Sequence, residues 1–377
     1  MSSALAIPEE TADATPTRGG TGQAIRCPTL AELPPPPPGR TGWPWTVETP
    51  QLPPLRPDGS PWPVITIVTP SFGQGPYIEE CLRSVLLQGY PQVEYFVLDG
   101  GSTDETRLVL RKYEPWLATW VSEPDGGQTK ALNRGFGLAR GEFVGWQNSD
   151  DFYHPAAFRL VGEQAALHPD NDVFFGDKDY VDEQGGFLFT RNNEAPTFAA
   201  MIPWPSFNSE SAFFRRSIFE GGWRLKEELR HYMDYEFFWR LFLDRKKFLK
   251  VAGLSASFRR HAGAKSSRQV DIAQAEAFEI YRFVHDHAGT PPEARRLLIE
   301  AMRIECLNDF GHYRFAVLRQ HVATLVRTAG WRAVPAGLWV RVGASLAGPD
   351  VVRGLLDGRR RSIAPVDLVP PREEAGN

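Results

Sequence analysis

The chain of 377 residues is 42% hydrophobic and 23% charged, which is enough for one large α/β domain with an appendage or for two smaller domains. Its net charge of −4 argues against a protein that mainly coats nucleic acid, because neutralising phosphates requires a basic excess. Cys27, Cys81 and Cys306 lack zinc-site spacing, which favours a reducing compartment and excludes a disulfide-stapled miniprotein. No apolar run of about 18 residues and no charged-then-apolar leader occurs, so neither a membrane span nor a signal peptide is predicted.

Proline dominates the first part of the chain. Pro34–Pro38 form an unbroken run, and seven more prolines occur between positions 44 and 63. This composition buries too little apolar surface to offset the entropy of ordering, so we expect residues 1–60 to form a disordered proline-rich arm. Trp43, Trp45 and Trp62 indicate that the end of this arm packs on the domain that follows.

Strand and helix patterns alternate after the arm. The run 64–68 is apolar and rich in β-branched residues, which predicts a buried parallel strand, and residues 77–88 show apolar positions at helical spacing. Further strands are predicted at 93–98, 117–122 and 143–146, with helices that begin near Thr103 and Thr129. Strands separated by helices of about a dozen residues indicate βαβ units and a mostly parallel sheet.

Polar loops follow four of the predicted strands, at the edge where ligands bind in open α/β sheets. Any one loop fits ordinary turn or cap chemistry, but four at one edge predict a ligand site. The first loop lacks the third glycine of a dinucleotide-binding motif, and the sequence has no P-loop. Clustered carboxylates suggest Mg²⁺ or Mn²⁺, which proteins usually hold through one or two carboxylates plus substrate phosphates. The loops are 69–72, 99–104, 123–128 and 148–151.

Six short motifs occur in the order and spacing of a known family. They are T-I-V-T-P-S-F at 66–72, L-D-G-G-S-T-D at 98–104, S-E-P-D-G-G at 122–127, A-L-N-R-G at 131–135, N-S-D-D at 148–151 and M-D-Y-E at 233–236. With these motifs, the stretch from 64 to about 261 resembles the family 2 glycosyltransferases of the GT-A fold, which are inverting and depend on nucleotide sugars. The resemblance implies an α/β fold with a mostly parallel, Rossmann-like sheet flanked by helices.

The resemblance implies roles for the residues that would hold the nucleotide. Pro70 and Ser71 would line the nucleotide pocket. Asp99 would accept a hydrogen bond from a uracil-type base edge. Asp125 and Asn133 would contact the nucleotide or the donor sugar.

The resemblance assigns a second group to the diphosphate. Asn148 stands at the first acid of the family's D-x-D position, so Asp150 would hold the Mn²⁺ or Mg²⁺ ion that bridges the donor diphosphate, with Asp151 as the adjacent candidate. Lys130 stands where many relatives have an acid, and it would touch a phosphate. His261 follows the last strand of the domain and would face the diphosphate, with an ordinary structural histidine as an equal alternative.

Asp234 matches the family's general base, which would take the proton from the acceptor hydroxyl. Its sequence context favours a rigid position, because Met233, Phe237 and Leu241 predict a helix with an apolar face that begins beside it. The alternative interpretation is an acid that interacts favourably with the N-terminal end of the helix dipole.

Residues 271–364 are predicted to form a helical, basic extension of the catalytic domain at 61–270, and residues 365–377 a disordered tail. Between positions 314 and 361, nine arginines face only Asp350 and Asp357 as acids and alternate with apolar residues. This composition is typical of an interfacial amphipathic helix attracted to anionic lipid. The alternative is a helical cap with a solvated basic face.

The sequence therefore predicts an inverting, metal-dependent glycosyltransferase that moves a sugar from a nucleoside diphosphate donor, expected to be a UDP-sugar, to a saccharide or lipid-linked acceptor in surface polysaccharide biosynthesis. A catalytically inactive sugar-nucleotide-binding or scaffold protein is the alternative. A nucleotidyltransferase would need a G-x-G-x-R-like loop after the first strand, which is absent. We expect a cytoplasmic protein with peripheral contact at the inner face of the membrane and no nucleic-acid partner.

Overall fold

The computed structural model describes residues 17–202, 204–264, 270–347 and 352. The chain divides into two units, Met1–Arg268 and Gln269–Asn377. The predicted tail at 365–377 and the first 16 residues of the predicted arm lie outside the described residues.

Parallel strands form the centre of the sheet in the first unit. The strand order is β1-β4-β3-β2-β5-β9-β7-β10-β6, with β8 paired to β7. Neighbours among β4, β3, β2 and β5 run parallel, as do β7 and β10, so the predicted α/β sheet is confirmed. The strands are β1 (Thr17–Gly19), β2 (Ile65–Ser71), β3 (Val93–Asp99), β4 (Thr119–Ser122), β5 (Phe143–Trp146), β6 (Phe152–Tyr153), β7 (Val173–Val181), β8 (Phe187–Arg191), β9 (Ala212–Arg215) and β10 (Phe248–Arg259).

Helices cover this sheet and bury its central strands. Every residue of β2 and β3 is buried, as expected for parallel strands with helices on both faces. Ile78 and Leu82 of the first helix join Ile65, Ile67 and Val97 in the core, all without exposed surface. The helices are α1 (Gly75–Leu86), α2 (Thr106–Tyr113), α3 (Gln128–Leu138), α4 (Ala157–Leu167), α5 (Arg216–Glu220) and α6 (Met233–Leu243).

The prediction of a disordered arm over 1–60 is wrong for its described part, residues 17–60. Cys27 and Trp45 are buried in the first unit, and the indole nitrogen of Trp43 donates to the carbonyl of Tyr153 at 2.8 Å. Arg83 of α1 holds the arm on the domain by hydrogen bonds. Its buried guanidinium donates to the carbonyl oxygens of Pro34, Pro44 and Trp45 at 2.8–3.0 Å. Proline lacks a backbone N–H, so a proline-rich segment needs side-chain donors of this kind when it packs on a domain.

We expect Arg83→Met to destabilise the protein by about 2–5 kcal/mol, because it leaves buried carbonyls of the arm without a donor. Urea unfolding monitored by circular dichroism measures the change. Arg111→Met, on the exposed side of α2, is the control and should change the free energy of unfolding by less than about 0.5 kcal/mol. Equal stability of the two variants would contradict the assigned role of Arg83.

The described part of the second unit is helical, as the composition predicts. A buried ionic cluster lies inside it: the carboxylate of Asp309 accepts hydrogen bonds from Arg314 at 3.0 Å and from the ring of His321 at 2.7 Å. No helix among the described residues is long and apolar enough to cross a membrane. The helices are α7 (Val270–Asp286), α8 (Pro292–Gly311), α9 (Phe315–Ala329) and α10 (Ala336–Ser345).

Candidate active site

A cleft of about 200 Å³ opens where β3 and β4 end and α3 begins. Three of the residues predicted to contact the nucleotide line it, namely Asp99, Asp125 and Lys130. They meet there because parallel neighbours present their carboxyl ends at the same edge of the sheet.

Asp99 lies at the buried base of this cleft, with 1% of its surface exposed. Its carboxylate accepts hydrogen bonds from the backbone N–H of Ser102 at 2.8 Å and from the hydroxyl groups of Ser102 and Ser122. These bonds hold the ends of β3 and β4 together. The predicted contact of Asp99 with a base edge stays a prediction, and it would use the remaining lone pairs of an already bonded carboxylate.

The loop 123–127 shapes the open side of the cleft. The Asp125 carboxylate accepts from the N–H of Gly127 at 2.7 Å, and Gly126 and Gly127 adopt φ values of 77° and 113°. Only glycine takes such angles at little cost, so the pair turns the chain sharply into α3. The ammonium of Lys130 lies in the first turn of α3, is exposed and makes no ion pair with a described residue. An ammonium without a carboxylate partner is available to an anionic ligand.

The predicted residues of the first loop and of α3 occupy different positions. Pro70 and Ser71 are buried at the end of β2, and the Ser71 hydroxyl has no hydrogen-bond partner in the part of the chain that the structure describes. Phe72 follows with 69% of its surface exposed and lies against Gly100. Asn133 is not among the residues that line the cleft, and its amide group exchanges two 2.9 Å hydrogen bonds with the backbone of Leu225.

Asp150 and His261 come together, although 111 positions separate them in the chain. The ring Nε2 of His261 lies 3.1 Å from Oδ2 of Asp150, and the exposed fractions of the two side chains are 5% and 19%. The Tyr77 ring contacts the imidazole, with centroids 4.7 Å apart. The structure therefore joins the predicted D-x-D acid to the predicted late histidine.

Asp151 has different surroundings from Asp150. It is buried, and its two carboxylate oxygens accept from the backbone N–H of Arg259 at 2.9 Å and from the Asn148 amide at 3.1 Å. Burial, together with the charge of Asp150, raises the pKa of Asp151. Asn148 at the first D-x-D position thus supplies a donor to Asp151 where an aspartate would place a second negative charge.

These residues fit a hard divalent cation that is held by few protein ligands. The described residues contain no group of three or more histidine, cysteine or acidic side chains suited to a metal ion. Asp150 and His261 offer one carboxylate oxygen and one ring nitrogen, whereas both oxygens of Asp151 are already bonded. Mg²⁺ commonly binds through one or two carboxylates and substrate phosphates, and imidazole also suits transition metals, so two protein ligands are sufficient when a diphosphate is present.

Arg259 fixes this loop, a role that the sequence analysis did not assign. It is 1% exposed. Its guanidinium donates to the Asp150 carbonyl at 2.9 Å, to the Glu183 carbonyl at 3.0 Å and to the Glu80 carboxylate at 2.8 Å. The Arg259–Glu80 pair therefore holds β10, α1 and the Asp150 loop together. No motif or periodicity predicts that two residues 179 positions apart form a pair.

Asp234 is the second residue of α6, as the helix pattern predicts. Burial and the negative charge of Glu210 raise its pKa to about 6, against an opposing hydrogen bond from the backbone N–H of Tyr235 and the positive charge of Lys178. A carboxylate with this pKa is ionised near neutral pH and still basic enough to take a proton.

Glu210 is the neighbour that the sequence analysis missed. It lies before β9, is 5% exposed, and its Oε1 is 4.0 Å from the ammonium of Lys178. Its Oε2 has no hydrogen-bond partner among the described residues. The charge of Glu210 raises the pKa of both Asp151 and Asp234. Glu210 therefore connects the two acidic parts of the site electrostatically.

We expect Glu210→Gln to lower the pKa of Asp234, because a neutral amide removes the negative charge that opposes ionisation. If Asp234 must be ionised to act, the acid limb of the pH–rate profile of kcat should move to lower pH. Glu228→Gln makes the same change at an exposed position and should leave the limb in place. A shift to higher pH, or no shift, would contradict the electrostatic coupling.

Aromatic side chains are frequent in the segments 204–214 and 232–235, the second of which includes Asp234. Phe213, Phe214 and Tyr235 are buried and belong to the core, whereas Trp204 and Tyr232 are partly exposed. The rings of Trp204 and Tyr232 meet edge to face, with centroids 6.4 Å apart. The partly exposed pair is the portion of this cluster that a sugar ring could reach.

Comparison with known proteins identifies the class. Residues 66–223 match the family model for Glycosyl transferase family 2. The structure superposes on a Staphylococcus aureus TarS fragment, residues 1–349 in complex with UDP-GlcNAc, with a TM-score of 0.57 over 81% of this chain and 95% of that one, at 16% identity. The fold is therefore the GT-A fold, and residues 66–223 of the chain are similar to glycosyl transferase family 2. The predicted fold is confirmed, as is the predicted resemblance of this segment to the family.

Curated relatives match shorter segments. An uncharacterized glycosyltransferase of Rickettsia bellii is 29% identical over 131 residues, which are 34% of this chain and 19% of the relative. An uncharacterized glycosyltransferase of Mycobacterium tuberculosis is 37% identical over 90 residues, which are 24% of this chain and 34% of the relative. The chain thus spans between a fifth and a third of the length of these relatives.

Proposed function

We propose that this chain is an inverting glycosyltransferase that moves a sugar from a nucleoside diphosphate donor, a UDP-sugar, to a hydroxyl of a saccharide or lipid-linked saccharide acceptor in surface polysaccharide assembly. The observation that carries the proposal is the meeting of Asp150 and His261 at the same sheet edge as the Asp99 cleft. Acids at the carboxyl ends of strands in one sheet suit a nucleoside diphosphate that is held by its base at one end and by its phosphates at the other. The Lys130 ammonium in α3, which has no ion-pair partner among the described residues, adds a positive charge for the phosphates.

The residues divide the work between donor and acceptor. The cleft, with Asp99, Asp125 and the exposed ring of Phe72 at its rim, would hold the base and ribose. Lys130 would neutralise phosphate charge. The fold neighbour TarS was crystallised with UDP-GlcNAc, which agrees with a nucleotide sugar as the donor.

Asp150 and His261 would hold a divalent cation, Mn²⁺ or Mg²⁺, at the diphosphate. When bound, such an ion neutralises the negative charge that builds on the leaving oxygens. Arg259 and Glu80 keep the Asp150 loop in place. Asp151 stabilises the same loop through the hydrogen bonds that its carboxylate accepts from the Arg259 backbone N–H and the Asn148 amide.

Asp234 would act on the acceptor. It takes the hydroxyl proton as the acceptor oxygen bonds to the anomeric carbon, and the bond from that carbon to the diphosphate oxygen breaks with both electrons leaving on the nucleoside diphosphate. Attack opposite the leaving group inverts the anomeric configuration. An acceptor hydroxyl is a poor nucleophile, so a positioned carboxylate is the group this step needs.

Thermal unfolding with UDP, GDP and their sugar conjugates, each with Mn²⁺ or with EDTA, tests the proposal. We expect a UDP ligand with Mn²⁺ to raise Tm, since a ligand at 100 times its Kd stabilises by about 2.7 kcal/mol. Release of UDP from the stabilising donor then separates an enzyme from an inactive sugar-nucleotide-binding protein. Failure of every nucleotide to raise Tm would overturn the proposal.

A further inference from the structure

The last described helix presents an apolar face to solvent. On α10 the buried residues are Leu338 and Ser345, at 2% and 3% exposure. Trp339 and Val340 point outward, with exposed fractions of 43% and 72%, and Leu346, just beyond the helix, is 74% exposed. Helical periodicity places these three residues on one side, together with the small residues Ala336 and Gly343. The helix therefore directs Trp339 and Val340 away from the rest of the second unit and buries Leu338 against it.

Trp331 extends this surface at the turn before the helix, with 65% of its surface exposed. We call Trp331, Trp339, Val340 and Leu346 the α10 apolar surface. Single exposed apolar residues are ordinary on soluble proteins, but four large ones within 16 residues form the kind of patch that marks an interaction site.

The segment of chain that carries the α10 apolar surface has charges of one sign only. From position 311 to 347 the chain contains Arg314, Arg319, Arg327, Arg332 and Arg341 and no aspartate or glutamate. Arg314 is paired with Asp309. The other four form no ion pair with any residue that the structure describes, and the guanidinium of Arg332 lies over the Trp331 ring at 5.4 Å.

We propose that the α10 apolar surface docks on an anionic lipid bilayer, as an interfacial contact that does not span it. Tryptophan and arginine side by side suit the boundary between headgroups and acyl chains, where the indole is partly immersed and the guanidinium meets phosphate. Between 311 and 347 the chain itself contributes no acid that an anionic surface would repel. This inference stands on the second unit alone and does not depend on the proposed function.

Flotation with vesicles tests the proposal on the full chain. We expect the protein to float with vesicles of phosphatidylglycerol and phosphatidylcholine at least about tenfold more than with phosphatidylcholine alone, and the bound fraction to fall as salt rises. No flotation with the anionic vesicles at low salt would overturn the proposal.

Two variants test whether the α10 apolar surface and its arginines make the contact with the vesicle. The triple variant Trp339→Ala, Val340→Ser and Leu346→Ser removes the apolar part, and the double variant Arg332→Gln and Arg341→Gln removes charge. Each should reduce flotation at least about fivefold, since apolar burial and charge attraction both contribute. All five positions are exposed or partly exposed, so Tm should change little. If the triple variant fails to fold, the double variant still decides the question.

The control is Leu167→Ser, which removes an equally exposed leucine, at 69%, from α4 of the first unit and should leave flotation unchanged. Flotation of both α10 variants at the level of the unchanged protein would overturn the assignment. Sedimentation equilibrium tests whether a second copy of the chain covers this surface instead. A dimer that the triple variant abolishes, together with an absence of vesicle binding, would show that it does and would also overturn the proposal.

Discussion

Asp234→Asn is expected to lower kcat by roughly 10²–10⁴-fold, the usual contribution of a positioned general base. The amide has the size of the carboxylate and keeps the acceptor for the Tyr235 N–H, but it cannot take a proton. Because the proposed role of Asp234 concerns the acceptor, the Kd for the donor nucleotide should stay unchanged. Steady-state kinetics with calorimetric titration of UDP measure both quantities.

The pH dependence provides a second signature of Asp234. Activity should rise with pH through about 6, the pKa to which burial and Glu210 raise this carboxyl, because only the ionised form accepts a proton. Asp244→Asn, at an exposed position just after the end of α6, is the matched control and should keep both the rate and the profile. A fully active Asp234→Asn variant would rule out the assigned base.

Asp150→Ala is expected to reduce Mn²⁺ binding and to lower kcat at least about 10²-fold, since stabilisation of the leaving diphosphate by a cation is worth several kcal/mol. The substitution removes the carboxylate that His261 contacts, while the carbonyl that Arg259 holds remains. Mn²⁺ affinity, measured by electron paramagnetic resonance with and without UDP, reports on the site independently of turnover.

Asp170→Asn serves as the control for the loss of one negative charge, because the Asp170 side chain is 83% exposed and lies outside the site. It should leave Mn²⁺ binding and kcat unchanged. Activity that persists in EDTA and does not respond to Asp150→Ala would contradict the role of a cation at Asp150.

Local pattern predicted the strands and helices of the catalytic domain well. Alternating β-branched runs and helical apolar spacing placed β3 and β5 within one residue of their observed bounds, and α3 within one residue as well. The arm at 17–60 was misjudged, because proline content describes how a segment behaves alone. In the folded chain the carbonyl oxygens of that segment accept hydrogen bonds from the buried guanidinium of Arg83, and composition cannot predict a contact between two such distant segments.

The candidate site shows the same division. Asp150, His261 and Asp234 were proposed through short motifs, whose residue types and spacing are properties of the chain itself. Asn133 was placed by the same means, yet its amide binds the backbone of Leu225 rather than facing the cleft. Glu210 lies outside the recognised motifs. It raises the pKa of Asp234 because folding brings the two carboxylates near each other in a buried environment.

By itself the sequence determined the order of elements, the family resemblance and the residue types available for chemistry, because these follow from periodicity, turn preferences and motif spacing within short windows. The tertiary structure decided which of those residues are free to act. In the folded chain Glu80 pairs with Arg259, 179 positions away, and both carboxylate oxygens of Asp151 accept hydrogen bonds. Lys130 has no ion-pair partner among the described residues. Trp339 and Val340 of α10 are exposed to solvent. Burial and pairing between distant segments determine the protonation state of each side chain and whether a ligand can contact it, and these properties exist only once the chain has folded.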